Sequence, residues 1–248
     1  MADTKVKTDL ELAAKHRYRD PRSGQLMTTS ATRVAKAFSD GDIIGAAAGA
    51  AVKLTKAGID YRREWNDRMW RGVRLHEHIG HWAEGKTAEV DERDDAYLDA
   101  FLAFCEGTKP VWLQSERVLV SARGCGGRMD LVGELEHPPG QRDFWLIDAK
   151  SGKLHYYELM LQLAGYASMD GMVTFDSEGN AEGLEPMPFF TRWGGLYLDG
   201  HGKAHLVEVP VCAPGQSREQ AQAGAIDAFN YLLKVRSWAD TVPEVEGW

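Results

Sequence analysis

The sequence predicts an α/β domain with a mixed central sheet flanked by helices, preceded by a helical elaboration. Two observations carry this. The hydrophobic period changes from helical to alternating near residue 109, and strand-like and helix-like segments interleave from there on. At 248 residues the chain can bury a full core, and 44% hydrophobic with 27% charged residues is the composition of an ordinary globular protein. The expected organisation is a polar arm over residues 1–27 and one domain over 28–248, helical to about 108 and α/β over about 109–240.

Residues 1–27 are polar and poorly patterned. Thr28, Thr29 and Ser30 offer N-caps to a short helix, ATRVAKAF, that ends near Gly41. Residues 43–58 are rich in small side chains and predict a packed helix closed by Gly58. Residues 63–85 read as a long amphipathic helix carrying Trp65, Met69, Val73 and Trp82, closed by Gly85. Residues 94–107 predict another, because Tyr97, Phe101 and Phe104 recur at helical spacing. The period then becomes two. VWLQSERVLV, RMDLVGELE and FWLIDAK predict three strands separated by turns at Gly124–Gly127 and around Pro138–Gly140. HYYELMLQLAGYASM returns to helix. FFTRWGGLYLD and AHLVEVPV predict a hairpin around Asp199–Gly202, and Ser217 to Gln220 is a capping box opening the last helix, through about Trp238.

Composition limits the function. The three cysteines, Cys105, Cys125 and Cys212, are far apart and form no C-x-x-C, which argues against a disulfide framework, a Cys-ligated zinc or a four-Cys iron–sulfur cluster. No stretch approaches the length of a membrane span, and the N-terminus has no apolar signal core, so a cytoplasmic protein is expected. The net charge is −8, which speaks against tight non-specific nucleic-acid binding. Lys53 to Arg74 is a local exception, with seven basic residues against three acidic; a solvated helix face laced with ion pairs explains it equally well.

The most informative residues are Asp130, then Asp148, Ala149 and Lys150, then Gln162 and Tyr166. In a strand, residues i and i+2 face the same way, so Asp148 and Lys150 share one side and Ala149 the other. If RMDLVGELE is the antiparallel neighbour, Asp130 sits opposite Asp148. Two carboxylates so placed repel and call for a cation, and hard oxygen ligands suit Mg²⁺ or Mn²⁺. Lys150, kept protonated by these carboxylates, is expected to position a water or stabilise charge on a phosphate. Gln162 and Tyr166 lie at i,i+4 on one helix face.

The ordered set resembles the PD-(D/E)XK nuclease superfamily, and within it the RecB-like branch. Four motifs carry the resemblance: Gly72 to His76 (GVRLH), Gly127 to Asp130 (GRMD), Asp148 to Lys150 (DAK) and Gln162 to Tyr166 (QLAGY). It covers roughly residues 65–170 and implies a restriction-endonuclease-like core. The resemblance implies His76, Asp130, Asp148 and the Ala149 carbonyl as metal ligands. It implies a catalytic Lys150, with Gln162 and Tyr166 orienting it or binding the DNA backbone. Glu116 matches an acidic position of the branch and is expected behind the ligands; Arg71, Arg74, Arg128 and Lys153 are candidates for DNA contact. Met129 replaces the usual proline, and the cysteine quartet of the cluster-bearing relatives is absent. The implied protein is a stand-alone DNA exonuclease of phage type, without an iron–sulfur cluster. It would act on DNA ends or single strands in recombination, repair or phage DNA processing. It would work in a bacterial or phage-infected cell, as a possible homo-oligomer or with a recombination or replication partner. A non-cleaving DNA-end-binding or partner-activated module and a structure-specific endonuclease share these motifs and are the alternatives.

Competing patterns are weaker. His76-Glu77 would need a histidine at position 80 for the zinc-protease motif, and Gly80 stands there. His78 and His81 read as ordinary partly buried histidines. Gly124 to Gly127 lacks the Lys-Ser/Thr ending of a phosphate loop and precedes a strand, so it reads as a turn that lets the strand approach the site. The eight tryptophans are mostly core candidates; one or two could stack on single-stranded bases, and the sequence does not pick which.

Overall fold

Helices cover both faces of a mixed eight-stranded sheet in the computed structural model, which describes residues 7–37, 51–86, 90–152 and 155–239. In chain order the helices are α1 (Asp9–Ala13), α2 (Ala31–Ala37), α3 (Tyr61–Ala83), α4 (Asp95–Thr108), α5 (Tyr156–Ala167) and α6 (Arg218–Ala239). The strands are β1 (Thr29–Ser30), β2 (Val111–Ser121), β3 (Cys125–Glu136), β4 (Arg142–Lys150), β5 (Gly171–Phe175), β6 (Ala181–Glu185), β7 (Arg192–Leu198) and β8 (Ala204–Val209). The sheet order is β6-β5-β2-β3-β4-β7-β8, with β1 parallel to β3 off this path. Only the β4–β7 and β1–β3 pairs are parallel among the described strands.

The alternation of β4 separates the two layers. Leu146 joins a core with Val34 of α2, Leu159 of α5 and Phe229 of α6, while Trp145, Ile147 and Ala149 join Leu75 and Ile79 of α3 and Phe101 of α4. Asp148 and Lys150 therefore belong to the α5 side, as the two-residue period requires. The three expected strands are the consecutive antiparallel core of the sheet, and the expected hairpin is β7–β8. The capping box of α6 is present in both directions, Gln220 N–H to Ser217 Oγ at 3.2 Å and Ser217 N–H to Gln220 Oε1 at 2.9 Å.

Three features differ from expectation. Residues 8–27, polar enough to read as an arm, pack onto the sheet: Thr8 and Glu11 form a capping box, and Leu12, Ala13 and Tyr18 are buried. Strands β5 and β6 were not predicted; they are short, each holds a glycine, and β6 alternates only weakly. Strand β3 begins at Cys125, so three of the four residues of the expected glycine turn are strand. Residues 51–56 are helical as expected of the 43–58 segment, whose start lies outside the described residues, as does Lys153.

Candidate metal centre

The site forms where α3 crosses β2 and β3 and where β4 ends below α5. Strand register sets the acids. Ser115 pairs with Leu131 and Arg117 with Met129, so Glu116 falls opposite Asp130. Leu131 pairs with Ile147, and one further step brings Asp130 beside Asp148. Like charges facing each other across a ladder destabilise it unless a cation lies between them.

Among the described residues, His76, Glu116 and Asp130 form the group whose ligand atoms converge, all within 4.8 Å of one another. His76 Nδ1 is 3.3 Å from Asp130 Oδ2 and 3.7 Å from Glu116 Oε1. The Ala149 N–H donates to Asp130 Oδ2 at 2.7 Å, which fixes that carboxylate. Arg128 Nε lies 2.9 Å from Glu116 Oε2. Glu116 is thus inside the ligand cluster and not behind it. It also holds a left-handed backbone, φ 49°, inside a strand, a conformation costly for a residue with a Cβ. Gly80 makes the room: a Cβ there would come within 2.9 Å of Glu116 Cγ. The glycine that breaks the zinc-protease pattern is what admits the glutamate.

Beside this cluster runs a second chain of contacts. Lys150 Nζ is 2.5 Å from Asp148 Oδ2 and donates to Gln162 Oε1 at 3.5 Å. Gln162 Nε2 donates to Asp148 Oδ1 at 2.7 Å and to the Tyr166 hydroxyl at 2.8 Å. Tyr166 lies against β3 because Gly127 has no side chain; a Cβ there would be 2.6 Å from the ring. Asp148 Oδ2 is buried, with Lys150 as its ion-pair partner. A cavity of about 210 Å³ opens beside Lys150, Gln162 and His155 between α2 and α5.

The electrostatics follow from this crowding. Burial works against a charged His76, but Asp130 and Glu116 outweigh it and raise its pKa to about 10. Burial raises Asp148 to about 6, with Lys150 opposing and Asp130 adding to the shift. Asp130 stays below its ordinary value despite burial, because His76, Lys150 and the Ala149 amide favour its charged form. Burial raises Glu116. Lys150 is raised: burial opposes its charge, and Asp148 and Asp130 prevail.

These residues fit a divalent cation. Two carboxylates and an imidazole converge within 4.8 Å of one another, an O,O,N donor set that a divalent cation accepts, and the buried Asp148 carboxylate stands on the neighbouring strand. His76, Glu116 and Asp130 would hold the ion, with Asp148 alongside. For Ala149 the contact shown is through its N–H, to Asp130. Three of the residues expected at DNA have carboxylate partners within the protein. Arg74 Nε is 2.6 Å from the buried Asp94, Arg71 stacks on Tyr97 with 3.7 Å to the same aspartate, and Arg128 is held by Glu116. His78 and His81 stay outside the cluster. No protein-family model matches the chain, and no curated protein matches it in sequence.

Proposed function

We propose that the protein is a divalent-metal-dependent deoxyribonuclease of PD-(D/E)XK type that hydrolyses phosphodiester bonds, working as an exonuclease on DNA ends. The observation that supports it most is the juxtaposition of the His76, Glu116 and Asp130 cluster with the Asp148–Lys150–Gln162–Tyr166 chain. His76, Glu116 and Asp130 would hold a Mg²⁺ or Mn²⁺ ion, which would supply Lewis acidity toward water and phosphate.

The chain's own residues do the remaining work. Lys150 keeps its proton, so Nζ acts as a fixed positive charge toward the phosphate and the forming charge, not as a neutral base. Gln162 holds Asp148 through Nε2 and reaches Lys150 through its carbonyl oxygen, which fixes both side chains in one geometry. Tyr166 anchors Gln162 in turn. Asp130 is oriented by the backbone of β4 and needs no rearrangement to present its oxygens.

The test uses end-labelled linear and closed circular DNA, single- and double-stranded, with Mn²⁺, Mg²⁺ or EDTA. Loss of linear DNA alone, dependent on metal and reduced at least about 10²-fold in Lys150→Ala, is the expected result. Cleavage of circles would make the protein an endonuclease. Cleavage undiminished in Lys150→Ala would contradict the assigned chemistry.

A further inference from the structure

The outer half of α3 carries an exposed aromatic and basic stripe that the metal centre does not use. Trp65 is 56% exposed, Met69 51% and Val73 50%, whereas Leu75 and Ile79 further along the same helix are buried. Spacing decides which side chains align with the site. Eleven residues, Trp65 to His76, are about three helical turns, and seven, Met69 to His76, are about two. Arg62, Trp65, Met69 and His76 therefore lie along one face, a track of about 21 Å that ends at the metal centre. Trp70 is exposed on the flank.

Charge separates this stripe from a plain apolar face. The chain is acidic overall, yet Lys53 to Arg74 is basic. The structure sorts those cations. Arg71 and Arg74 are committed to Asp94 on the opposite side of the helix, and Arg68 pairs with Glu64. Among the described residues neither Arg62 nor Arg63 has a carboxylate ion pair: Asp60 caps their backbone N–H groups, and the Arg62 guanidinium lies on Tyr61, Nε donating to its hydroxyl at 3.3 Å. Exposed tryptophan beside guanidinium groups that no carboxylate neutralises matches a strand of unpaired bases, which offers flat faces and a phosphate row together. A duplex hides its base faces, and cations without carboxylate partners on a track that leads to the proposed phosphodiester site favour a polyanionic strand over a folded protein partner.

We propose that this stripe is a guide for single-stranded DNA entering or leaving the site. A base stacks on Trp65, an apolar contact with Met69 follows, and Arg62 meets the phosphates. The proposal rests on the nuclease reading for its choice of DNA, and its test is kept separate from cleavage.

The test is fluorescence anisotropy of labelled oligothymidylate and of a blunt duplex in EDTA, with wild type, Trp65→Ala and Trp65→Phe. Because the residue is exposed, melting temperatures are expected to be unchanged. The alanine variant should bind the single strand about tenfold or more weakly, phenylalanine should restore most of the affinity, and duplex affinity should hold. Equal single-strand affinity in all three proteins would overturn the guide, as would equal loss for both DNAs. So would a wild-type dimer that Trp65→Ala dissolves, since the face would then be covered by a second copy. Trp65-dependent binding without any metal-dependent cleavage would leave the guide standing and sink the nuclease; cleavage with no Trp65 dependence of binding would do the reverse.

Discussion

Glu116 concentrates the cost of the site in one residue. A left-handed strand residue with a Cβ costs about 1–2 kcal/mol relative to glycine, and its carboxylate faces Asp130. Glu116→Gly and Glu116→Ala remove the same carboxylate, but only glycine relieves the backbone. The glycine variant should therefore be more stable than the alanine variant by about 1 kcal/mol in urea denaturation, and both should lose metal affinity. His76 sets the pH dependence. Its ordinary pKa of 6.5 rises to about 10 in the metal-free fold, so its ion pairs stabilise fully below 6.5 and are lost as pH rises through 10. A cation at Nδ1 must displace that proton, and Asp148, raised to about 6, must also lose one to offer its charge. Metal binding therefore tightens as pH rises.

Helix α3 joins three tasks in one element: a buried half that packs on β2 and β3, His76 at the boundary, and an exposed half beyond. Its anchor is the ion-pair cluster of Arg71 and Arg74 with Asp94, which is fully buried at the start of α4. Removing one partner strands a buried charge. Arg74→Ala should cost about 2 kcal/mol or more in denaturant unfolding and leave the salt dependence of DNA binding unchanged. A shallower salt slope with unchanged stability would return Arg74 to the role of phosphate contact. Sequence periodicity located α3 but not its exposed half, because Trp65, Met69 and Val73 carry the same pattern in water as they would in a core.

At the scale of the molecule, the core strands β2, β3 and β4, the hairpin β7–β8 and the capped helix α6 were legible because alternation and turn chemistry are local signals. Strands β5 and β6 and the packing of residues 8–27 were not: β5 and β6 pair with each other but are short and hold glycines, and the buried side chains of residues 8–27 pack on β2 and β5, far along the chain. Asp130, Asp148, Lys150 and the Gln162–Tyr166 pair were legible from order and spacing, and they do converge. The place of Glu116 depends on register and on a backbone angle, neither of which is written locally. The deployment of Arg71 and Arg74 depends on Asp94, twenty residues beyond Arg74. The central claim is that His76, Glu116 and Asp130 hold a divalent cation. Electron paramagnetic resonance of a Mn²⁺ titration tests it most directly, at pH 6 and pH 8, with wild type, Asp130→Asn, Glu116→Gln and Lys150→Ala. The expected result is Mn²⁺ bound by wild type, more tightly at pH 8, abolished or strongly weakened in both acid variants and retained in Lys150→Ala. Binding that is absent from wild type, or indifferent to Asp130 and Glu116, would contradict the claim.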